Sequence, residues 1–185
     1  MPQKPKITRE EILGAALGLV RSEGIDALNA RSLAARLHTS TQPVFSHFAN
    51  MRELEAATYA EAKSFYNARI AAAMRQDARP YRASGMAYIS FAREEPRLFR
   101  WLFMRDRSGE PDRESADFEH AAAFLQDRLG LSREDALLFH AEMWVVVHGI
   151  ATMLATSYLD WNEETVSRIL SDLYRGLLTR YGKEL

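Results

Sequence analysis

The stretch NARSLAARLHTSTQPVFSHFAN, residues 29–50, holds two apolar-periodic segments of about two turns each, parted only by His38, Thr39 and Ser40. Helices that short are marginal on their own in water. They become stable when a third helix packs across them, and the segment just upstream supplies one. There Thr8-Arg9-Glu10-Glu11 has capping-box spacing: the Thr8 hydroxyl can accept from the Glu11 N–H while the Glu11 carboxylate reaches back. Ile12, Ala15, Ala16, Leu19 and Val20 then share one helical face, and Gly24 suits the position that closes a helix. Asn29 can cap the second helix, which turns Leu33, Ala34 and Leu37 inward. Ser40 can cap the third, with Pro43 in its first turn and Val44 and Phe48 facing the core.

Held in this way, the third helix leaves Thr41, Gln42, Phe45 and Ser46 on its outer face, with His47 beside them. That face is small, polar and aromatic, unlike the Lys/Glu mixture of a plain solvated surface. An α-helix fits the DNA major groove, where glutamine can pair with adenine, threonine can donate or accept, and an apolar edge can touch a thymine methyl. The arrangement is that of a helix-turn-helix. An ordinary helical corner would show the same spacing, so the pattern by itself is a hypothesis.

Helical periodicity continues along the rest of the chain; only residues 86–92 offer a weak strand alternative. A long helix is expected over 51–78, broken at Arg79-Pro80, followed by helices over 81–94, 96–104 and 114–129. Ser132 can cap a helix reaching about Tyr158, and Asn162 a last one ending near Tyr181. Residues 105–113, with Gly109 and Pro111, read as a mobile loop. The expected fold is all-α with about nine helices. A helix-turn-helix domain occupies residues 1–50, and a larger regulatory and dimerisation domain spans 51–185, the fourth helix connecting the two.

The chain has 185 residues, 47% of them hydrophobic, enough for a substantial core. It has no cysteine, which excludes disulfides and thiolate metal sites and suits a reducing cytoplasm. No apolar run reads as long enough to span a membrane: residues 143–154 are the longest, interrupted by His148 and Gly149. The start, MPQKPKITREE, lacks the apolar stretch of a secretory signal. Residues 1–50 hold six Lys/Arg against four Asp/Glu, a net of +2, leaving −3 on the remainder of a chain whose total is −1. A mildly positive head on a negative body suits a nucleic-acid contact confined to one end.

The run ILGAALGLVRSEGIDALNARSLAARLHTSTQPVFSHFANMREL, residues 12–54, resembles the N-terminal domain of the TetR family of transcriptional regulators. The match includes the Gly24 break, the Leu33-Ala34 pair and the closing Phe45-Ser46-His47-Phe48. Further on, AYISFAREEPRLFRWLFM (87–104) and MWVVVHGIATML (143–154) resemble the regulatory domain of the subgroup named for its Trp-His-Gly signature, here Trp144, His148 and Gly149. The resemblance implies a ligand-responsive regulator, more often a repressor, that binds a palindromic operator as a homodimer. Three positions depart from the family pattern. His38 stands where a turn glycine is common, Phe45 where a tyrosine is common, and Met51 where a lysine is common. The last two changes remove expected phosphate contacts, so a modest affinity with shallow salt dependence is expected.

Within this reading Thr41, Gln42 and Phe45 contact base edges. Arg31, His47, Arg52 and Thr8 position the backbone, Ser40 belongs to the same DNA-facing set, and Lys4 and Lys6 form a basic arm. Ala151, Ala155, Val166, Ile169, Leu170, Leu173 and Leu177 are expected at a dimer interface, where the resemblance implies a four-helix bundle across the two-fold axis. An aromatic group, Phe65, Tyr66, Tyr88, Phe99, Phe103 and Trp144 with His148, is the candidate lining for a partly apolar small-molecule effector. Core packing is the competing role for every one of these apolar side chains. No cofactor and no metal site is expected, since no third ligand joins the histidines at convincing spacing. No nucleophile–base pair, phosphate loop or HExxH motif points to an enzyme. The remaining alternative is a family member that has lost DNA binding and serves as a ligand-binding or interaction module.

Overall fold

The structure, a computed structural model, describes residues 7–106 and 114–183, with side chains resumed from Phe118 in the second span. Lys4, Lys6 and most of the expected 105–113 loop lie outside these residues. Among the described residues the regular elements are all helical, and the weak strand alternative at 86–92 lies inside a helix. They are α1 (Arg9–Glu23), α2 (Ala30–Arg36), α3 (Gln42–His47), α4 (Met51–Gln76), α5 (Pro80–Glu94), α6 (Pro96–Phe103), α7 (Glu114–Leu129), α8 (Arg133–Ala155) and α9 (Glu163–Arg180). A single 3₁₀ turn, Ile25–Ala27, which periodicity does not signal, bridges α1 to α2.

The ends of these helices follow from local chemistry. The Thr8 hydroxyl accepts from Glu11 N–H at 3.1 Å and Glu11 Oε2 accepts from Thr8 N–H at 2.8 Å, a closed capping box. Asn29, Ser132 and Asn162 cap α2, α8 and α9 through side-chain oxygens. α2 closes on a Schellman turn: His38 takes a left-handed φ of 52°, Thr39 N–H bonds Ala34 O at 2.9 Å, and His38 N–H bonds Ala35 O at 3.1 Å. Histidine does the work usually given to glycine. The cap expected from Ser40 falls one residue later: Thr41 is the N-cap of α3, already helical at φ −74° and ψ −14°, and its side chain makes no capping bond. With six residues and no side-chain cap, α3 depends on packing for its order.

The chain divides into two compact units. The first is the chain up to Arg69 together with Glu95–Arg105; the second is Ile70–Glu94 with the chain from Asp106 onward. In the first, Ile12, Leu13, Ala16, Leu33, Val44, Phe48 and Leu54 form one buried cluster, so α1 packs against both α2 and α3. This unit reaches beyond residue 50 because α6 also packs on α1. The Arg21 guanidinium is clasped by the Glu95 carboxylate, and Arg97 donates to Ser22 O at 2.5 Å. That carboxylate holds the Arg21 pKa above its ordinary value.

In the second unit α8 packs on α5, α7 and α9. Ala122, Leu125, Ala136, Phe139, Met143, Leu177 and Leu178 are buried together there. α8 is long and apolar enough by length and composition to cross a membrane. That corrects the expectation from residues 143–154: the apolar window lengthens once the whole 23-residue helix is counted. Here the same composition serves contacts to three neighbouring helices.

Candidate DNA-reading face and aromatic cluster

α3 buries Val44 and is closed by the buried Phe48, which fixes its opposite face outward. Gln42, Ser46 and His47 are exposed, Thr41 is half-buried, and Phe45 stands 47% exposed. The open aromatic ring sits among polar side chains on a helix anchored by Val44 and Phe48. Ser46 bonds back to Gln42 O at 3.0 Å, so its hydroxyl is already engaged. Ser40 and Arg31 are also exposed, and Arg52 is exposed in the first turn of α4.

Two expected backbone-contacting groups already hold bonds within the protein. Thr8 is exposed, but its hydroxyl accepts within the capping box. His47 Nε2 lies 2.9 Å from Ile7 O. The amino end of α4 is also partly filled from within. Asn50 Oδ1 accepts from Glu53 N–H at 3.0 Å, and Glu53 Oε2 accepts from Ala49 N–H at 2.7 Å. Helix N-termini bind anions through the N–H groups of their first turn; here the Asn50 amide oxygen already takes one of these, and the Glu53 carboxylate stands beside them on Ala49 N–H.

The expected effector-lining residues fall into two groups, one in each unit. In the first unit Phe99 is fully buried, Phe103 lies 5.1 Å from it and 4.9 Å from Tyr66, and Lys63 sits over both Tyr66 and Phe103. Phe65 carries the Arg21 guanidinium over its ring. In the second unit Tyr88 OH bonds His148 Nδ1 at 2.8 Å, and Trp144 stacks on His148 with planes 4° apart. A similar pair precedes it by two turns. Tyr81 OH bonds His140 Nδ1 at 3.0 Å, and Phe118 packs edge-on against both His140 and Trp144. Burial pushes the Tyr81 phenol well above its usual pKa, so it remains a neutral partner for the imidazole. The second pair was not among the expected site residues, although the i, i+4, i+8 spacing of His140, Trp144 and His148 placed them on one face.

The dimer candidates are redistributed. Ala151, Ala155, Val166, Leu170 and Leu177 are buried within their own chain, with Ile169 and Leu173 half-buried. Periodicity identified a real apolar stripe on α9, but most of it packs inward. What α8 and α9 leave open is an apolar cleft of about 510 Å³ lined by Ala141, Glu142, Val145, Val146, Leu173 and Leu177. Val145 is 62% exposed and Leu138, two turns earlier, 44%. Glu142 pairs with Arg180 at 2.7 Å, and its second oxygen is buried without a hydrogen-bond partner among the described residues. A Cβ on Gly149, one turn beyond Val145, would meet nothing within 4 Å.

A three-helix head that buries one side of a short helix and bares the other defines a helix-turn-helix protein, a class whose ligand is duplex DNA. Residues 81–177 match the family described as tetracyclin repressor-like, C-terminal domain. That span exceeds half of the 185 residues, and the chain belongs to the TetR-like family of DNA-binding transcriptional regulators. It is 26% identical over 162 residues to the uncharacterized HTH-type transcriptional regulator Rv0681 of Mycobacterium tuberculosis, covering 84% of this chain and 73% of that one. The fold is also that of a TetR-like transcriptional regulator from Rhodococcus sp. RHA1 (TM-score 0.66, 19% identity, 95% of this chain and 98% of the other). A putative transcriptional regulator from Pseudomonas aeruginosa PAO1 shares it as well (0.69, 17%, 96% and 97%). So does the multidrug binding protein EbrR, in complex with imidazole (0.59, 22%, 94% and 93%).

Proposed function

We propose that the protein is a ligand-responsive repressor that binds a palindromic operator as a homodimer in the cytoplasm. The observation that carries this reading is the exposed face of α3, where Gln42 and Phe45 project from a helix anchored by Val44 and Phe48. Thr41, Gln42 and Phe45 read base edges in the major groove, and Arg31 and Arg52 hold phosphates. A single six-residue helix spans too few base pairs for useful specificity, so two heads act on two half-sites about 34 Å apart. The Trp144, His148 and Gly149 signature supports placing the chain in the Trp-His-Gly subgroup. The test is selection of bound sites from random DNA, repeated in the presence of a metabolite panel. Recovery of a palindrome supports the reading, and absence of any enriched sequence overturns it.

Two measurements refine the assignment. Gln42→Ala relaxes preference at one base-pair position by about 1–3 kcal/mol, whereas Arg31→Ala weakens every sequence alike. An unchanged selection profile for Gln42→Ala removes it as a reader. Each neutralised phosphate contributes about −0.9 to the log–log salt slope. Arg31 and Arg52 of two protomers therefore give about −4, and the lysines of both arms bring it to about −7 at most. Titration between 50 and 200 mM salt measures this directly; a slope near −10 contradicts the assignment.

The effector reading rests on the Tyr88–His148–Trp144 cluster, which offers a stacking surface and a hydrogen-bonding edge in an apolar setting. The fold is shared with a protein that binds multiple drugs, which favours a partly apolar ligand. Such a ligand acts by binding one dimer conformation more tightly than the other, shifting the population away from the operator-matched spacing. Tyr88→Phe keeps the ring and removes the hydroxyl, so it retains operator binding and weakens the response to the metabolite that releases wild type.

A further inference from the structure

Val44 and Phe48 anchor α3 by apolar burial, and Thr41 gives it no side-chain cap. Apolar contact is non-directional, so it holds a six-residue helix down without fixing its rotation about its own axis. One directed bond does that. His47, the last residue of α3, places Nε2 2.9 Å from the carbonyl oxygen of Ile7, forty residues earlier in the chain. Two acceptors cannot share that distance favourably, so the ring nitrogen carries a proton and donates. Among the described residues no other side-chain hydrogen bond leaves α3 for another element; the Ser46 hydroxyl turns back on Gln42 O.

The far end of that bond is firm. Ile7 directly precedes the Thr8 capping box that opens α1, and its side chain packs against the cluster containing Val44 and Phe48. The Arg9 guanidinium, over the Phe48 ring at 4.9 Å, spans the same two helix ends. At about 100° per residue, His47 stands about 140° round the helix from Gln42 and about 160° from Phe45, away from the face assigned to base edges. We propose that His47 is a positioning residue for base reading. Its bond to Ile7 O sets the rotation of α3, and with it the angle at which Gln42 and Phe45 meet the groove; it is not a phosphate contact. Recognition groups work only when held within about 0.5 Å of the productive geometry, which a helix free to roll does not achieve. This inference rests on the DNA-binding reading above.

The test compares two affinities for each variant: one for a site that wild type selects from random DNA, one for a mixed-sequence duplex of equal length. Phosphate contacts dominate the second, so the ratio of the two measures base reading. His47→Ala lowers affinity for the selected site about tenfold, within the worth of one hydrogen bond in each of two protomers. It leaves affinity for the mixed duplex, and the salt slope, as in wild type. His47→Gln, whose amide nitrogen falls near the position of Nε2, restores the ratio. Partial unfolding lowers both affinities by the same factor, so it cannot imitate a fall in the ratio. A readout without DNA accompanies this: Phe48 N–H, bonded to Val44 O at 3.1 Å, exchanges faster in His47→Ala and at the wild-type rate in His47→Gln. Equal losses on both duplexes overturn the proposal, and a shallower salt slope with them assigns His47 to a phosphate. An unchanged Phe48 exchange rate in His47→Ala, or His47→Gln behaving like His47→Ala, overturns it too. Wild type that enriches no sequence sinks the DNA-binding reading itself, whereas failure of this proposal alone leaves a wild-type site in hand.

Discussion

Val145→Glu is expected to convert the proposed homodimer, of twice 21.1 kDa, into a species of 21.1 kDa in sedimentation equilibrium at micromolar concentration. Val145 is 62% exposed at the centre of the open face of α8, bordering the cleft with Ala141, Val146 and Leu173. In the proposed dimer the two-fold axis brings this face against its own copy, and with it the Glu142–Arg180 pair of each protomer. A glutamate one turn from Glu142 adds like charges from both protomers to a surface that must shed water, at a cost of several kcal/mol. The folded chain opposes the change only weakly, through the like charge of Glu142 one turn away, because the side chain already faces solvent. Loss of the dimer also uncouples the two DNA-reading heads and lowers operator affinity by about 10²–10⁴. A variant that remains dimeric shows that the contact between protomers lies elsewhere.

Phe48→Ala has the second large effect, through stability. Phe48 is 1% exposed, forms the C-cap of α3 and packs with Ile12, Leu33, Val44 and Leu54. Removing a buried phenyl costs about 3–5 kcal/mol, a large part of the 5–15 kcal/mol that holds a typical domain. α3 has no side-chain cap and only six residues, so it loses its order with its anchor. Hydrogen exchange in α1–α3 rises sharply, DNA binding disappears, and helices α7–α9 keep their protection. Phe45→Ala is the control: the exposed ring contributes within about 0.5 kcal/mol to folding, yet its loss alters base preference. Retention of DNA binding by Phe48→Ala would show that α3 does not depend on that anchor.

These two phenylalanines, three residues apart, show what sequence could and could not convey. The 3.6-residue period placed Phe48 inward and Phe45 outward, and the caps at Thr8, Asn29, Ser132 and Asn162 were legible because each bond spans only three or so residues. The left-handed His38 was foreseeable from the same local rules. Longer links left no such trace. The Arg21–Glu95 pair joins residues 74 apart, and the His47–Ile7 bond joins residues 40 apart. Periodicity also identifies an apolar face without saying what covers it. Val166 and Leu170, read as intermolecular, are buried within their own chain, Leu177 is buried yet lines the open cleft, and Leu138 and Val145, unremarked in the pattern, stand open. Ser40 and Thr41 are both good capping residues in adjacent positions, and spacing alone did not choose between them.

The Glu53 carboxylate that occupies Ala49 N–H changes how such a protein would spend its time in a cell. Every stretch of chromosome offers phosphates, and a regulator that grips them strongly is held wherever it lands. Here the head carries its own carboxylate beside the amino end of α4, and that charge repels a phosphate approaching there. In the proposed regulator this would shorten dwell on random sequence, keep more molecules in search, and leave discrimination to the base pairs assigned to Gln42 and its neighbours.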